Sequence, residues 1–302
     1  MKLATYSDGS RDGQLVVVSR DLTQAHYASD IAGRLQTALD DWNFYAPQLQ
    51  ALAVQLDAGR AQHAFAFDPA RCLAPLPRAY QRLEGAQAED APRAIQRASD
   101  VLLAARDPIG AAAQPQGTDF GAGLAVITGD VPQGATPEQG QDAIRLITPT
   151  NTIYWRVSAG DGVPTASVDQ QTGAAFGPVA VTPDELGAAW QEGRARLILS
   201  VTVNGRKLGL IEAGEMRWSF GVLIAHAARG RPLAAGTVVG SGTIDNAGGA
   251  RGFACLADKR AAELAREGAA HTPWLCASDV VRVEIKGTDG VSVFGAIEQA
   301  VI

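Results

Sequence analysis

The sequence predicts an α+β fold, with a small N-terminal α/β unit over residues 1–75 and a larger, mostly-β C-terminal domain over residues 76–302. Three observations predict it. Apolar residues recur at helical spacing between Ile31 and Leu56, beside a strand-like apolar run at Leu15–Val18. Beyond Asp119, short apolar runs bounded by turn residues outnumber helical patterns. Two pairs of those runs flank the turns Asn204-Gly205 and Gly287-Thr288-Asp289-Gly290. The 33 Gly and 15 Pro suit a chain with many turns.

Leu15–Val18 follows the Asp12-Gly13 turn and reads as a strand. Ile31, Leu35, Leu39 and Trp42 share a helical face, and Pro47 predicts two helices or one broken there. Trp42, Phe44 and Tyr45 read as core. The Pro-rich stretch from Phe67 to Pro77 reads as an extended linker, not a packed element. Residues 84–117 carry weak patterns and predict a mobile surface segment with a short helix near Ala94–Ala105. Leu124–Ile127, ending at Gly129-Asp130, reads as a strand and turn. Thr136-Pro137-Glu138-Gln139 and Thr182-Pro183-Asp184-Glu185 read as capping boxes that open helices reaching Leu146 and Trp190. In each, the Thr hydroxyl satisfies an orphan amide at the helix start and the side chain three residues on caps back. Leu197–Val203 and Lys207–Ile211 form the first hairpin, and Val280–Lys286 and Val291–Ile297 the second. Val222–Ala228 and Lys259–Arg266 read as helices, and Thr237–Gly240 as a strand.

Charge and motif content exclude several classes. A net charge of −6 argues against nucleic-acid binding, which needs a basic face to displace counterions from phosphate. No apolar run is long enough to span a membrane, and the N-terminus lacks a signal-peptide apolar region, so a soluble cytoplasmic protein is expected. Cys72, Cys255 and Cys276 form no CxxC pair and no disulfide framework. His26, His63, His226 and His271 form no HxH or HExxH pattern, which argues against zinc, and His226 reads as a core histidine. Walker, GxGxxG and GxSxG patterns are absent. Gly240-Ser241-Gly242-Thr243 reads as a backbone turn at a strand end, with a hydroxyl-and-amide pocket for a carboxylate as the functional alternative.

Four stretches resemble the two-domain bacterial fumarylacetoacetate hydrolase (fumarylacetoacetase) family: Ala74-Pro75-Leu76-Pro77-Arg78-Ala79-Tyr80, Asp119-Phe120-Gly121-Ala122-Gly123-Leu124-Ala125-Val126, Val239-Gly240-Ser241-Gly242-Thr243, and the tail from Val283-Glu284-Ile285-Lys286-Gly287 to Val293-Phe294-Gly295. Phe176–Leu186, with its Pro-Val-Ala-Val-Thr-Pro core, adds to the match. The resemblance implies a C-terminal domain rolled from β-strands around one pocket, in a homodimer. It also implies cleavage of 1,3-dicarbonyl acids, decarboxylation of oxaloacetate or work on related 2-oxo acids. Family members hold Mg²⁺ or Ca²⁺ with carboxylates. Such a hard cation takes oxygen ligands and polarises a chelating keto acid.

This sequence departs from the family at its ligand positions. The Glu-x-Glu pair, which alternation would place on one strand face, is Gly121 and Gly123. The family's Asp is Thr152, after Asn151, and its Lys is Gln171. Glu84 stands near the position of a further acidic ligand, and no catalytic His follows it. Burying a dication without its carboxylates costs several kcal/mol, so the Mg²⁺ expected of the family is predicted absent and no cofactor is assigned. Replacing two glutamates by glycine predicts an enlarged pocket. The leading expectation is a metal-independent enzyme acting on a small keto acid or dicarbonyl compound by cyclisation, isomerisation, dehydration or hydrolysis, as in a specialised pathway. Its candidate catalytic residues are Asp119, Glu84, Tyr154 and Lys259; Gly121, Gly123, Thr152, Gln171, Ser241, Gly242 and Thr243 are its candidate substrate contacts. The alternatives are an inactive homologue that binds a small molecule or a protein, and an ordinary Mg²⁺-dependent hydrolase with ligands recruited from Asp119, Asp161 and Asp169.

Overall fold

The computed structural model describes residues 1–86, 90–111, 117–156, 171–246, 249–287 and 289–302. Strands β1 (Lys2–Tyr6), β2 (Gln14–Val18) and β3 (Gln24–Tyr27) run as an antiparallel meander. Helices α1 (Leu35–Asp40) and α2 (Trp42–Asp57) follow, and α2 packs on β2 and β3. The junction between the helices is Asp41, at φ −137° and ψ 61°, and not Pro47. Pro47 lies in the second turn of α2, where it removes only one helical bond. Trp42 and Tyr45 rest against the core, but Phe44 is 61% exposed, which corrects its reading as core.

β4 (Phe65–Ala66) pairs with β3. The Pro-rich segment beyond it is extended but packed. The Leu73 amide donates to the Thr5 carbonyl at 2.8 Å, the Thr5 hydroxyl donates to the Pro75 carbonyl at 2.7 Å, and Ala74 and Leu76 are buried. β5 (Arg82–Gly85) and β6 (Ala94–Arg97) form an antiparallel pair where the sequence suggested a partly helical stretch. Pairing with neighbouring strands overrides the weak helical propensity of the Ala-rich segment.

β7 (Gly117–Thr128), α3 (Pro137–Asp142) and β8 (Ile144–Arg156) come next. The Thr136 capping box forms, with the Gln139 amide donating to Thr136 Oγ1 at 3.3 Å and the Thr136 amide to Gln139 Oε1 at 2.9 Å. Its helix stops at Asp142, because Ile144 onward is drawn into β8. β9 (Gln171–Phe176) and β10 (Ala180–Val181) lead to a 3₁₀ turn at Pro183–Ala189. The second capping box does not form: Thr182 Oγ1 accepts from the Met1 amine at 2.7 Å, and a charged donor outcompetes an amide.

β11 (Trp190–Gln191) and β12 (Arg194–Ala195) make a two-stranded ribbon. β13 (Ile198–Val203) and β14 (Arg206–Glu212) form the expected hairpin, with Asn204 and Gly205 at φ 52° and 71°. After α4 (Phe220–Ala227), β15 (Val238–Gly240) and α5 (Leu256–Glu267), β16 (Val280–Lys286) pairs with β17 (Ile297–Ala300). The return strand therefore starts later than the sequence suggests, and residues 291–296 contribute one bridge, Lys286 to Ser292. Thr288 of that turn lies outside the described residues.

Eleven strands form one sheet in the order β4-β3-β2-β1-β10-β8-β7-β15-β5-β6, with β9 also on β8. β8 is 13 residues long, so it pairs with β10 near its start and with β9 near its end. The β1–β10 pairing joins the N-terminal strands edge to edge with the rest. A second sheet, β14-β13-β16-β17, packs on β7 and β8. The fold is thus a strand-rich α+β architecture, as the sequence predicts, with β7 and β8 at its centre. Among the described residues no helix is long and apolar enough to cross a membrane.

Phe120 on β7 is fully buried in the larger core cluster. Phe120→Ala is expected to remove about 3–5 kcal/mol of stability. The check is a lowered urea midpoint at unchanged m-value.

Candidate functional site

β5, β7, β8 and the turn after β15 meet where the sequence placed most of its candidates. The strand registers set Gly121 opposite Thr152, Asp119 opposite Tyr154, and Gly240 opposite Glu84. Alternation puts Arg82 on the same face of β5 as Glu84. Glu84 is 4% exposed, and Arg82 Nη2 donates to its Oε2. The buried Thr152 hydroxyl joins the pair, accepting from Arg82 Nη2 and donating to Glu84 Oε1, each at 3.4 Å. A Cβ on Gly240 would meet the Glu84 carboxylate at 3.2 Å, a tight contact to which the carboxylate would have to yield slightly.

The two glycines of β7 do not open a pocket, which corrects the expected enlargement. A Cβ at Gly121 would lie 2.2 Å from Thr243 Oγ1 and 3.0 Å from Tyr154 Cε2. A Cβ at Gly123 would lie 2.4 Å from the Gly242 carbonyl oxygen and 2.7 Å from Ser241 Oγ. The turn after β15 fills this space. Ser241 anchors it: its amide donates to the Leu124 carbonyl at 2.7 Å, and its hydroxyl accepts from the Leu124 amide at 3.0 Å and donates to the Gly242 carbonyl at 2.6 Å. Gly242 has φ +76°, and a Cβ on it would lie 2.1 Å from the Gly85 carbonyl oxygen, so only glycine fits. The backbone-turn reading of Gly240–Thr243 accounts for Ser241 and Gly242.

Asp119 is fully buried, and several donors converge on its carboxylate. Its Oδ1 accepts from the Leu256 amide at 2.8 Å; its Oδ2 accepts from the Ala257 amide at 3.2 Å and from Arg156 Nε at 2.9 Å. It therefore holds the first turn of α5, where exposed amides favour a carboxylate. Burial pushes its pKa up, while the Arg156 guanidinium and the Leu256 amide pull against that push. Arg156 also lies 4.3 Å over the Tyr154 ring. Burial, and next the Glu84 charge, push the Tyr154 phenol up to about 12, although Thr243 hydrogen-bonds to it.

The structure thus gathers Glu84, Gly121, Thr152, Tyr154 and Thr243, with Asp119 beside them. Lys259 is not brought to this group; it lies on α5, 38% exposed, with Nζ 3.8 Å from Glu263. Gln171 stands opposite Tyr154 at the head of β9, and its side chain lies outside the described atoms, as do Asp161 and Asp169. Sequence reasoning missed Arg82, Arg97 and Arg156. Arg82 was findable, since Arg-x-Glu on a strand puts both side chains on one face.

The described residues do not fit the carboxylate-held cation that the family resemblance implies. Gly121 and Gly123 offer no side-chain oxygen, Thr152 offers a neutral hydroxyl, and Glu84 is already paired with Arg82. Among the described residues no group of three or more His, Cys, Asp or Glu is placed to hold a metal ion.

Two predictions follow from this packing. Gly121→Ala and Gly123→Ala are each expected to cost about 1–3 kcal/mol through overpacking. Adding Thr243→Ala should recover most of the loss in Gly121→Ala, whose nearest obstacle is a hydroxyl, but not that in Gly123→Ala, whose nearest obstacle is a backbone carbonyl; urea-based double-mutant cycles read the difference. For Tyr154, the unfolded phenol ionises near the ordinary value of about 10, and the folded one only near about 12. Between those values the unfolded chain binds fewer protons, so stability falls as pH rises. Tyr154→Phe should flatten that decline in urea titrations across the same range.

Residues 69–302 match the fumarylacetoacetate (FAA) hydrolase C-terminal family, and residues 1–78 match the fumarylacetoacetase N-terminal domain 2 family. No curated protein sequence matches the chain. Among solved structures, it is similar to maleylpyruvate hydrolase from Sphingobium sp. SYK-6, with a TM-score of 0.70, 15% identity, and coverage of 100% of this chain and 99% of that one. It is likewise similar to 2-hydroxyhepta-2,4-diene-1,7-dioate isomerase from Mycobacterium marinum, with a TM-score of 0.66, 17% identity, and coverage of 100% and 98%. Fumarylacetoacetate hydrolase from psychrophilic Exiguobacterium antarcticum gives a TM-score of 0.66 at 19% identity, covering 100% and 99%. At these identities the likeness speaks for the fold, and the matched families, which together span the chain, speak for kinship: the chain belongs to the fumarylacetoacetate hydrolase family.

Proposed function

We propose that this protein acts on a small keto acid or dicarbonyl compound by acid–base chemistry that needs no divalent cation. The observation that carries the reading is the buried polar group at the centre of the sheet. Glu84, Thr152 and Tyr154 lie together there, beside the guanidiniums of Arg82 and Arg156. The related maleylpyruvate hydrolase has been solved with manganese(II) ion and pyruvate, which supports a 2-oxo acid as the ligand class. Tyr154 keeps its proton to high pH, so it can donate a hydrogen bond to an enolate oxygen, whose charge such donors stabilise. Asp119 is a positioning residue in this reading, because it acts through Arg156 and α5. The reading keeps a homodimer in the cytoplasm, serving an isomerisation, cyclisation, dehydration or hydrolysis step of a specialised pathway.

A second reading, a non-catalytic binding protein, is favoured by one observation: Asp119, Glu84 and Ser241 are all engaged in bonds within the chain. The two are separated by incubating chelator-treated protein with a panel of 2-oxo acids and 1,3-dicarbonyl acids and following substrate loss by proton NMR. Turnover that survives chelation, and falls at least tenfold in Tyr154→Phe, supports the enzyme. Turnover that appears only on adding Mg²⁺ defeats the cation-free mechanism. A ligand-induced rise in Tm without turnover establishes the binding protein instead.

A further inference from the structure

Arg82 and Arg97 are register partners across β5 and β6, so their side chains leave the same face of the ladder. Like charges directly opposite each other repel, and Arg82 is 3% exposed, where screening by water is weak. The carboxylate placed on this face, Glu84, is bound by Arg82 Nη2. Arg97 Nε is buried and has no hydrogen-bond partner among the described residues. The positive charge of Arg97 favours the ionised form of the Tyr154 phenol, as a smaller effect than burial. Two guanidiniums carry the same formal charge as one dication, and one of them retains an unmet donor. A guanidinium presents its N–H groups as a planar fork that matches a carboxylate.

We infer that Arg82 and Arg97 together replace the divalent cation: Arg82 is a built-in counter-ion for Glu84 that also hydrogen-bonds Thr152, and Arg97 receives the carboxylate of a 2-oxo acid ligand. This deepens the proposed function and rests on it for the ligand class. Arg82 reaches two of the positions that the family resemblance assigns to cation ligands, Glu84 and Thr152. Gly121, a third such position, faces Thr152 with no side chain of its own. An incoming carboxylate relieves the cross-strand repulsion and satisfies the buried donor.

The test uses the full chain after chelator treatment, with pyruvate as the probe in isothermal titration calorimetry. Wild-type protein is expected to bind pyruvate with an affinity that changes less than twofold when Mg²⁺ is added. Arg97→Met should weaken binding at least tenfold, and Arg97→Lys, which keeps the charge but loses the fork, should recover only part of it. Arg82→Met should lower Tm, and millimolar methylguanidinium, but not equal ionic strength of NaCl, should raise it again. Absent pyruvate binding by the wild type, dependence of binding on Mg²⁺, or full affinity in Arg97→Met would each overturn the inference. If Arg82→Met does not fold, the two Arg97 variants decide it alone, since Arg97 is only partly buried. Pyruvate binding at Arg97 without turnover of any keto acid would leave this inference standing and remove the catalytic reading. Turnover that persists in Arg97→Met would do the reverse.

Discussion

At Gly121 and Gly123 the chain leaving β15 lies against β7, which puts no side chain of its own between them. The positions that two Cβ atoms would take are filled by Thr243 Oγ1 and the Gly242 carbonyl. An acidic pair on this strand and the observed course of residues 241–243 are therefore mutually exclusive. The close approach also has consequences along the sheet. Ser241 bonds to both the amide and the carbonyl of Leu124, which fixes the end of β15 on β7. β15 in turn holds β5 in parallel register, Gly240 against Glu84. The small residues that admit the turn thus also set where Glu84 and Arg82 stand, two strands away.

Once β5 is held there, its charges must be reconciled with burial. A buried ion pair repays its desolvation only when the geometry is good and further bonds satisfy the leftover lone pairs. Glu84 meets that condition with Arg82 on one oxygen and Thr152 on the other. An aspartate in place of Thr152 would set a second carboxylate beside Glu84, and one guanidinium would not balance both. The neutral hydroxyl and the internal guanidinium are therefore mutually consistent, and each makes sense of the other.

Much of this was legible in the sequence, for reasons that can be named. The glycines at 121 and 123 were fixed by unambiguous flanks, Asp119-Phe120 and Leu124-Ala125-Val126. The Asn204-Gly205 hairpin was legible because its turn chemistry is local. What the sequence did not disclose is what lies against the two glycines. Two glycines on one strand face can border a cavity or admit a close contact, and here the contact comes from a turn more than a hundred residues downstream. The N-terminal amine on Thr182 is a case of the same kind, where a residue 181 positions away displaces a local capping bond. The strand at Ala94–Arg97 escaped notice because its alternation is blurred by alanine and by long polar side chains, and only pairing with β5 defines it.

The two buried ion pairs divide the labour of the site, and their surroundings show how. Asp119 saturates its oxygens with two amides of α5 and with Arg156, so changing its charge would loosen a helix as well as a guanidinium. That pair belongs to the scaffold, and it orients Arg156 over the Tyr154 ring. Among the described residues, the side-chain bonds of Arg82 and Glu84 hold no helix amide; the pair bonds to Thr152 and stands opposite the β6 strand. Catalytic or binding chemistry needs groups whose bonds can be exchanged without unfolding an element, and bonds between side chains are easier to exchange than bonds that hold helix amides. The β5–β6 end of the cluster meets that requirement, and the α5 end does not. Tyr154 sits between them, held by the scaffold pair on one side and exposed to the charge of Glu84 on the other.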